Sequence, residues 1–278
     1  MKWPGHMMFC LILFSFSCDL VQDHHLNPST IKVSSVSLTN SNNAPLSHAI
    51  RDIWVYIDDQ YAGSFTVPFS IPVLESGERN LKLYPGIRYY GILSKPEIHP
   101  LIEPIETTQN LIAGNVVELQ AKYHYKNNLS IVLNEGFESG SIFINDLDSF
   151  PASKLVRSGL LSRNGNFAGY AALDKQNTVV ESASTFFTLS NKKTVFLEFD
   201  FKSDVDFNVG IISYPSKQKN YFLALRPAAD WKKVYIPLHE IGFENNEQNF
   251  QLAFRASISN TLAMGYFAID NVSVLSIQ

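Results

Sequence analysis

From residue 31 onward, apolar positions recur at every second residue in short runs. Gly, Pro, Asn and Asp separate the runs. A period of two predicts half-buried strands, and no stretch shows the 3.6-residue apolar period of an amphipathic helix. Residues 53–57 alternate Ile53, Val55 and Ile57 with Trp54 and Tyr56, and residues 61–67 resume the extended pattern. Asp58-Asp59-Gln60 between them predicts a hairpin. Aspartate tolerates positive φ less readily than glycine, so a turn other than the usual Asp-Gly form is expected. Residues 79–84, 105–111 and 116–125 complete a first set of strands.

A second set follows a boundary at residues 126–134, a stretch able to hold a short strand of its own. Its expected strands are 185–189, 195–201, 209–214, 221–226, 233–238, 250–256 and 265–275. Within one of them Val195, Leu197, Phe199 and Phe201 share a face, and about 140 residues in many strands with turns between them predict a two-sheet sandwich. The segment Tyr84–Ile92 is aromatic with little charge. It is expected to pack, with the second domain or a partner as the surface it meets.

Composition narrows the class. Of 278 residues, 13% are aromatic and 17% charged, with a formal net charge of -4. This is a globular, strand-rich chain long enough for two modest domains. No Lys/Arg run suits nucleic acid, so no nucleic-acid partner is expected. The two cysteines are Cys10 and Cys18. Beyond them lies no thiol for a disulfide, a nucleophile or a cysteine-built zinc site.

Both cysteines fall in a distinctive beginning. Lys2 precedes the apolar run Met7–Phe14, and Ser15-Phe16-Ser17-Cys18-Asp19 follows. A positive start, a short apolar core and small residues predict a secretory signal over residues 1–17. The run is too short for a membrane span of about 20 residues. The segment resembles a bacterial lipobox of the relaxed, Bacteroidetes type, with Ser15 where leucine is usual. The resemblance implies that Cys18 carries a lipid and that the protein sits on the outer membrane or cell surface. Residues 18–30 would then be a polar tether, in which His24 and His25 are expected to be solvated.

Two further resemblances concern the domains. Val55-Tyr56-Ile57-Asp58, Gly63, Pro72-Val73-Leu74, Gly77-Glu78 and Leu81-Lys82-Leu83 before Pro85-Gly86 resemble a PEGA-type or related immunoglobulin-like module. This implies a small non-catalytic sandwich over residues 31–126. Phe137-Glu138, the stretch Asp230–Leu238 with Trp231, and Phe267–Val274 resemble the galactose-binding-like jelly rolls of carbohydrate-binding modules and MAM-like adhesion domains. This implies a jelly roll over residues 134–278. It also implies a structural calcium ion, held by Glu138 and Asp270 with loop carbonyls, consistent with the hard oxygen ligands calcium takes. The alternative is that both carboxylates cap strand ends or bond loop amides.

The resemblance also implies a glycan ligand, whose sugars stack on aromatic rings. Phe143, Tyr170, Tyr214, Tyr221, Trp231 and Tyr235 are available. Tyr214 and Tyr221 flank a polar loop and are the best surface candidates, with Trp231 the third. Catalytic motifs are missing: no Gly-x-Ser-x-Gly, no His-Glu-x-x-His and no phosphate-cradling loop occurs. Asp146, Asp148, Asp204, Asp206, Glu244 and Glu247 offer no isolated pair of the kind a glycosidase needs, and His99, His124 and His239 are expected to be structural. The expected function is therefore non-catalytic: a surface lipoprotein binding glycan, or an accessory subunit holding an envelope protein.

Overall fold

The structure is a computed structural model describing residues 27–92, 96–148, 150, 152–189, 194–241 and 249–277. Cys18, Glu244 and Glu247 lie outside the described residues. The fold is all-β: an immunoglobulin-like sandwich followed by a jelly-roll sandwich. Among the described residues the only helical element is the three-residue 3-10 turn Leu238–Glu240.

The N-terminal sandwich has two sheets. In the first, the strand Ser29–Thr39 lies between Phe69–Val73 and Val116–His124. This opening strand takes in Ser29 and Thr30, two residues of the expected tether, and pairs in parallel with Val116–His124. In the second sheet Asp52–Ile57 lies between Gln60–Thr66 and Gly77–Ile87, and Ile105–Leu111 pairs on the far side of the latter. Ile53, Val55, Leu81 and Leu83 turn inward and are fully buried.

The hairpin at Asp58-Asp59 corrects the turn expectation. Both aspartates adopt positive φ, 48° and 63°, the left-handed pair that a two-residue hairpin loop requires. Their carboxylates offset the strain. Asp58 accepts from the Asn80 amide at 2.9 Å and from Arg79 at 2.9 Å, and Asp59 lies 2.8 Å from Lys82 Nζ. These bonds to Asp58 hold its carboxyl below its ordinary range.

The C-terminal sandwich opens with Ser130–Glu135, which begins inside the expected boundary segment. This strand pairs with the last one, Met264–Ile277. The closing sheet runs Val156–Ser158, Ala168–Asp174, Met264–Ile277, Thr194–Ser203, Ala228–Pro237. Opposite it, a sheet that we call the tyrosine sheet runs Asn145–Asp146, Val179–Ala183, Asn249–Ser257, Asp206–Tyr214, Gln218–Leu225. Val195, Leu197, Phe199 and Phe201 enter the core between the sheets with Phe207, Phe254 and Phe267.

The alternate face of Thr194–Ser203 carries Phe196, Glu198 and Asp200, all buried. The N-terminal sandwich covers it. Phe196, Tyr235 and Leu275 belong to that sandwich's apolar cluster, each contributing about 1.5–3 kcal/mol by burial. The Tyr84–Ile92 segment meets the second sandwich as well as its own. Tyr89 stands edge-on to Phe196 at 5.5 Å, and the Tyr90 amide donates to the Tyr235 carbonyl at 2.9 Å. Buried charges are matched in the same place. Glu198 accepts from Tyr125 at 2.7 Å and lies 3.0 Å from His99 Nε2 and 3.7 Å from Lys233 Nζ. Asp200 accepts from Ser47 and Asn271. Burial alone would push the Glu198 carboxyl up. The His99, Lys233 and Tyr125 interactions outweigh it and hold the group below its ordinary value.

Candidate functional site

Alternation along the tyrosine sheet sends Phe207, Val209, Ile211, Phe250, Leu252 and Phe254 into the core. The intervening residues form its outer face. Tyr214 and Tyr221 both fall there, packed on the small cluster Ala183, Ile212 and Ala253. That cluster includes no residue of the N-terminal sandwich, whereas the outer face of the closing sheet is covered by it. Tyr214 and Tyr221 are half-buried.

Gly210 explains how Tyr221 lies. The pairing of Asp206–Tyr214 with Gln218–Leu225 shifts register between Val209 and Gly210. A side chain at Gly210 would meet the Asn220 carbonyl at 2.6 Å and Tyr221 Cδ1 at 2.7 Å. Glycine in the strand interior therefore admits both the bulge and the ring that rests over it. The Tyr221 hydroxyl donates to Glu181 Oε1 at 2.9 Å. Glu181 also bonds Lys219, and Arg255 Nε lies 3.6 Å away. Burial, then the bond to Glu181, push the Tyr221 phenol above its ordinary value, so it remains a donor across the neutral range. Tyr214 donates to Gln251 Oε1 at 2.6 Å, and Phe186, 58% exposed, stands edge-on to it at 4.8 Å. The result is an array of three rings with amide, guanidinium, ammonium and carboxylate groups beside them, the pairing of apolar face and planar polar group that orients a small polar ligand.

The other expected aromatic residues sit elsewhere. Trp231 follows the parity of Lys233 and Tyr235, whose neighbours Val234 and Ile236 enter the core. It is therefore half-buried on the outer side of the closing sheet, and the sandwich separates it from the two tyrosines. Phe143 and Tyr235 are buried, and Tyr170 stacks on Tyr266 at 6.0 Å. His99, His124 and His239 bond Glu198, Thr39 and the Val195 carbonyl respectively. Asp148 accepts from the Phe150 and Glu181 amides, and Asp204 from the Tyr266 amide.

Glu138 and Asp270 do converge, on one loop. Glu138 Oε1 accepts from the Asn166 and Phe167 amides at 2.9 and 3.0 Å. Asp270 Oδ2 accepts from the Arg163 and Asn164 amides at 2.9 and 3.2 Å, and Oδ1 from the Asn271 amide at 2.7 Å. Burial raises the Asp270 carboxyl against the pull of these amides. Gly165 at φ +69° closes the loop, where a side chain would strike Glu138 Oε1 at 2.4 Å. The Phe137 and Glu138 carbonyls accept from Arg157, whose guanidinium lies 3.1 Å over the Phe167 ring. These oxygens face N–H donors, and the positive charge at the corner is the arginine's. So arranged, the two carboxylates bond loop amides, as the alternative reading has it, and by themselves bring only part of the six to eight oxygen ligands that calcium takes. Among the described residues, no group of three or more His, Cys, Asp or Glu is placed to share a metal.

A cleft of about 940 Å³ lies where the sandwiches meet, lined by Asn40, Ser47, Tyr125, Lys233, Asn271 and others. Its floor includes Glu198, so it shares the buried network described above.

No family model matches the chain. No curated protein matches it. Solved structures do resemble it. The K3 cleaved adhesin domain of Lys-gingipain from Porphyromonas gingivalis W83 aligns over 53% of this chain and 98% of its own, at 16% identity and a TM-score of 0.39. TmCBM61, solved in complex with β-1,4-galactotriose, aligns over 54% and 99%, at 14% identity and a TM-score of 0.39. A carbohydrate-binding module of the β-sandwich superfamily with promiscuous specificity aligns over 89% and 98%, at 11% identity and a TM-score of 0.37. These are distant likenesses between β-sandwich proteins, and they carry no weight in assigning a site.

Several residues of the site escape sequence reasoning. Glu181 lies in Val179–Ala183, a strand outside the expected set, and Arg255, inside the expected strand 250–256, has no expected role; only the three-dimensional register places them beside Tyr221. Gly210 did leave a signal, as a glycine inside an apolar run. Glu135, which accepts from the Phe137 and Ile142 amides, and Arg157 organise the corner expected to hold a metal.

Proposed function

We propose that the chain is an exported, lipid-anchored, non-catalytic protein of the outer membrane or cell surface that binds a glycan on the outer face of its tyrosine sheet. The observation that carries the binding reading is the Tyr221 ring resting over Gly210, its hydroxyl tied to Glu181, with Tyr214, Phe186, Gln251, Lys219 and Arg255 around it. A ring braced on a sheet offers its face at little entropic cost, and the neighbouring groups can bond sugar hydroxyls. The export and anchoring part rests on residues 1–18 alone: the positive start, the short apolar run and Cys18.

A glycan array probed with soluble residues 19–278 tests the binding. Specific signal that falls on Tyr221→Ala and on Phe186→Ala is expected. A blank array from folded protein, or signal indifferent to both substitutions, overturns the reading and favours a protein partner on this face.

A further inference from the structure

We propose that the five-stranded sheet of the N-terminal sandwich carries a second saccharide platform, for neutral oligosaccharides. The proposal takes its ligand class from the reading above, but its residues are independent. Leu81, Leu83, Ile53 and Val55 face the core, so Trp54, Tyr56, Lys82 and Tyr84 face out. Register sets Trp54 beside Tyr84 and Ser64, and Tyr56 beside Lys82 and Tyr61. The rings form a continuous ladder. Trp54 and Tyr61 are 5.3 Å apart, Tyr61 and Tyr56 5.4 Å, and Tyr56 and Tyr84 5.4 Å. Tyr61 is 53% exposed. Four contiguous aromatic rings on an outer sheet face exceed what an isolated spacer module needs, since single exposed apolar residues are the ordinary case.

The polar groups of this face favour a sugar. Trp54 Nε1, Ser64 Oγ and Arg88 Nε are buried there with no hydrogen-bond partner among the described residues. Buried polar atoms are rarely left so. All three can donate, and the hydroxyl oxygens of a saccharide, or a water it retains, can accept. Tyr61 is 53% exposed and packs on Trp54 at 5.3 Å, so access of the ligand to Trp54 requires a rotamer change of Tyr61, fast for an exposed side chain. The charges on the face are already matched. Arg88 lies 2.8 Å from Asp52, and Lys82 lies 2.8 Å from Asp59 and 3.8 Å from Glu106. Two cations stand against three carboxylates, which disfavours an anionic polymer or an anionic membrane and leaves stacking and neutral hydrogen bonds as the means of recognition. With one platform on each sandwich, the protein would hold a polymer at two points and gain avidity from their linkage.

The test is affinity electrophoresis of residues 19–278 in gels cast with galactan or glucomannan, with polygalacturonate as the anionic control. Five proteins are compared: parent, Tyr221→Ala, Tyr61→Ala, the double variant, and the double variant with Trp54→Phe added. Tyr61 is exposed, so its replacement leaves the fold intact, and Trp54→Phe keeps a ring while removing the indole N–H. The expected result is retention by a neutral polysaccharide that survives in Tyr221→Ala, weakens about tenfold with Tyr61→Ala in that background, and weakens again with Trp54→Phe. If Tyr221→Ala alone abolishes retention and Tyr61→Ala changes nothing, the second platform is refuted while the first stands. If Tyr61→Ala abolishes retention and Tyr221→Ala does not, the second platform stands without the first. Retention by polygalacturonate alone, or by no gel at all, refutes the proposal and would leave the aromatic face to a protein partner.

Discussion

Glu198 allows the union of the two sandwiches to be measured. Its carboxylate is 1% exposed and is shared by His99 and Tyr125 of the N-terminal part and Lys233 of the C-terminal part. Glu198→Ala leaves the His99 ring N and the Tyr125 hydroxyl without their acceptor, and leaves Lys233 with Asp200 at 3.8 Å as its remaining partner. Breaking a buried pair from one side costs about 3–5 kcal/mol, which corresponds to a Tm lower by about 6–20 °C for a protein of this size. Glu198→Gln keeps the shape and an acceptor oxygen, so its cost should be smaller, about 1–3 kcal/mol. Calorimetry and urea denaturation give both numbers. Single-tryptophan variants give the distribution: Trp54 reports on the first sandwich and Trp231 on the second. In the parent the two transitions should coincide, and in Glu198→Ala they should separate. If Glu198→Ala unfolds within about 1 kcal/mol of the parent, the ordinary scale of a point substitution, and the two reporters still coincide, the network does not join the sandwiches and the reasoning fails.

Further outcomes follow from the same geometry. The Glu198 carboxyl is held below its ordinary value, so its stabilisation is full above the unfolded carboxylate pKa and is lost as pH falls through the lower folded one; Glu198→Gln should flatten that acid limb of a stability–pH curve. Gly210→Ala should cost about 1–3 kcal/mol by overpacking against the Asn220 carbonyl and the Tyr221 ring, and should weaken glycan retention by displacing that ring; unchanged stability and retention would contradict the bulge argument. Arg157→Met should loosen the Phe137–Glu138 corner, seen as faster hydrogen exchange in residues 162–167, while a chelator should leave the parent's Tm unmoved; a chelator-sensitive Tm would restore the calcium reading. Cys18→Ser should release the protein from the membrane fraction or block its processing, and an unchanged fraction would remove the lipid anchor.

Much of the architecture was readable because alternation reports directly on a two-layer fold. Val195, Leu197, Phe199 and Phe201 share the core as their spacing implies. Their alternates mislead. Glu198 and Asp200 look like the wetted side of a strand, yet another sandwich covers them, formed by residues about 100 positions earlier, and alternation carries no information about such a distant cover. Tyr214 and Tyr221 were legible as strand-end aromatics beside a polar loop. Trp231 was not legible as lying on the opposite sheet, because membership of a sheet is set by long-range pairing, here of Ala228–Pro237 with Thr194–Ser203. The Glu138–Asp270 corner was found by position, but its partners turn on Arg157, whose guanidinium reaches carbonyls 19 and 20 residues away.

The contact between Tyr89–Tyr90 and Tyr235 has a bearing on handling the protein in pieces. The strand Ala228–Pro237 ends the order of its sheet, and along part of its length the N-terminal segment covers it, through the Tyr89–Tyr235 bridge and the Tyr90 amide bond. Unprotected sheet edges recruit strands from other molecules. Cutting the chain at the boundary would uncover that edge together with Phe196 and Leu275. The C-terminal sandwich expressed alone should therefore self-associate, with the N-terminal sandwich acting in the intact chain as its built-in guard against aggregation.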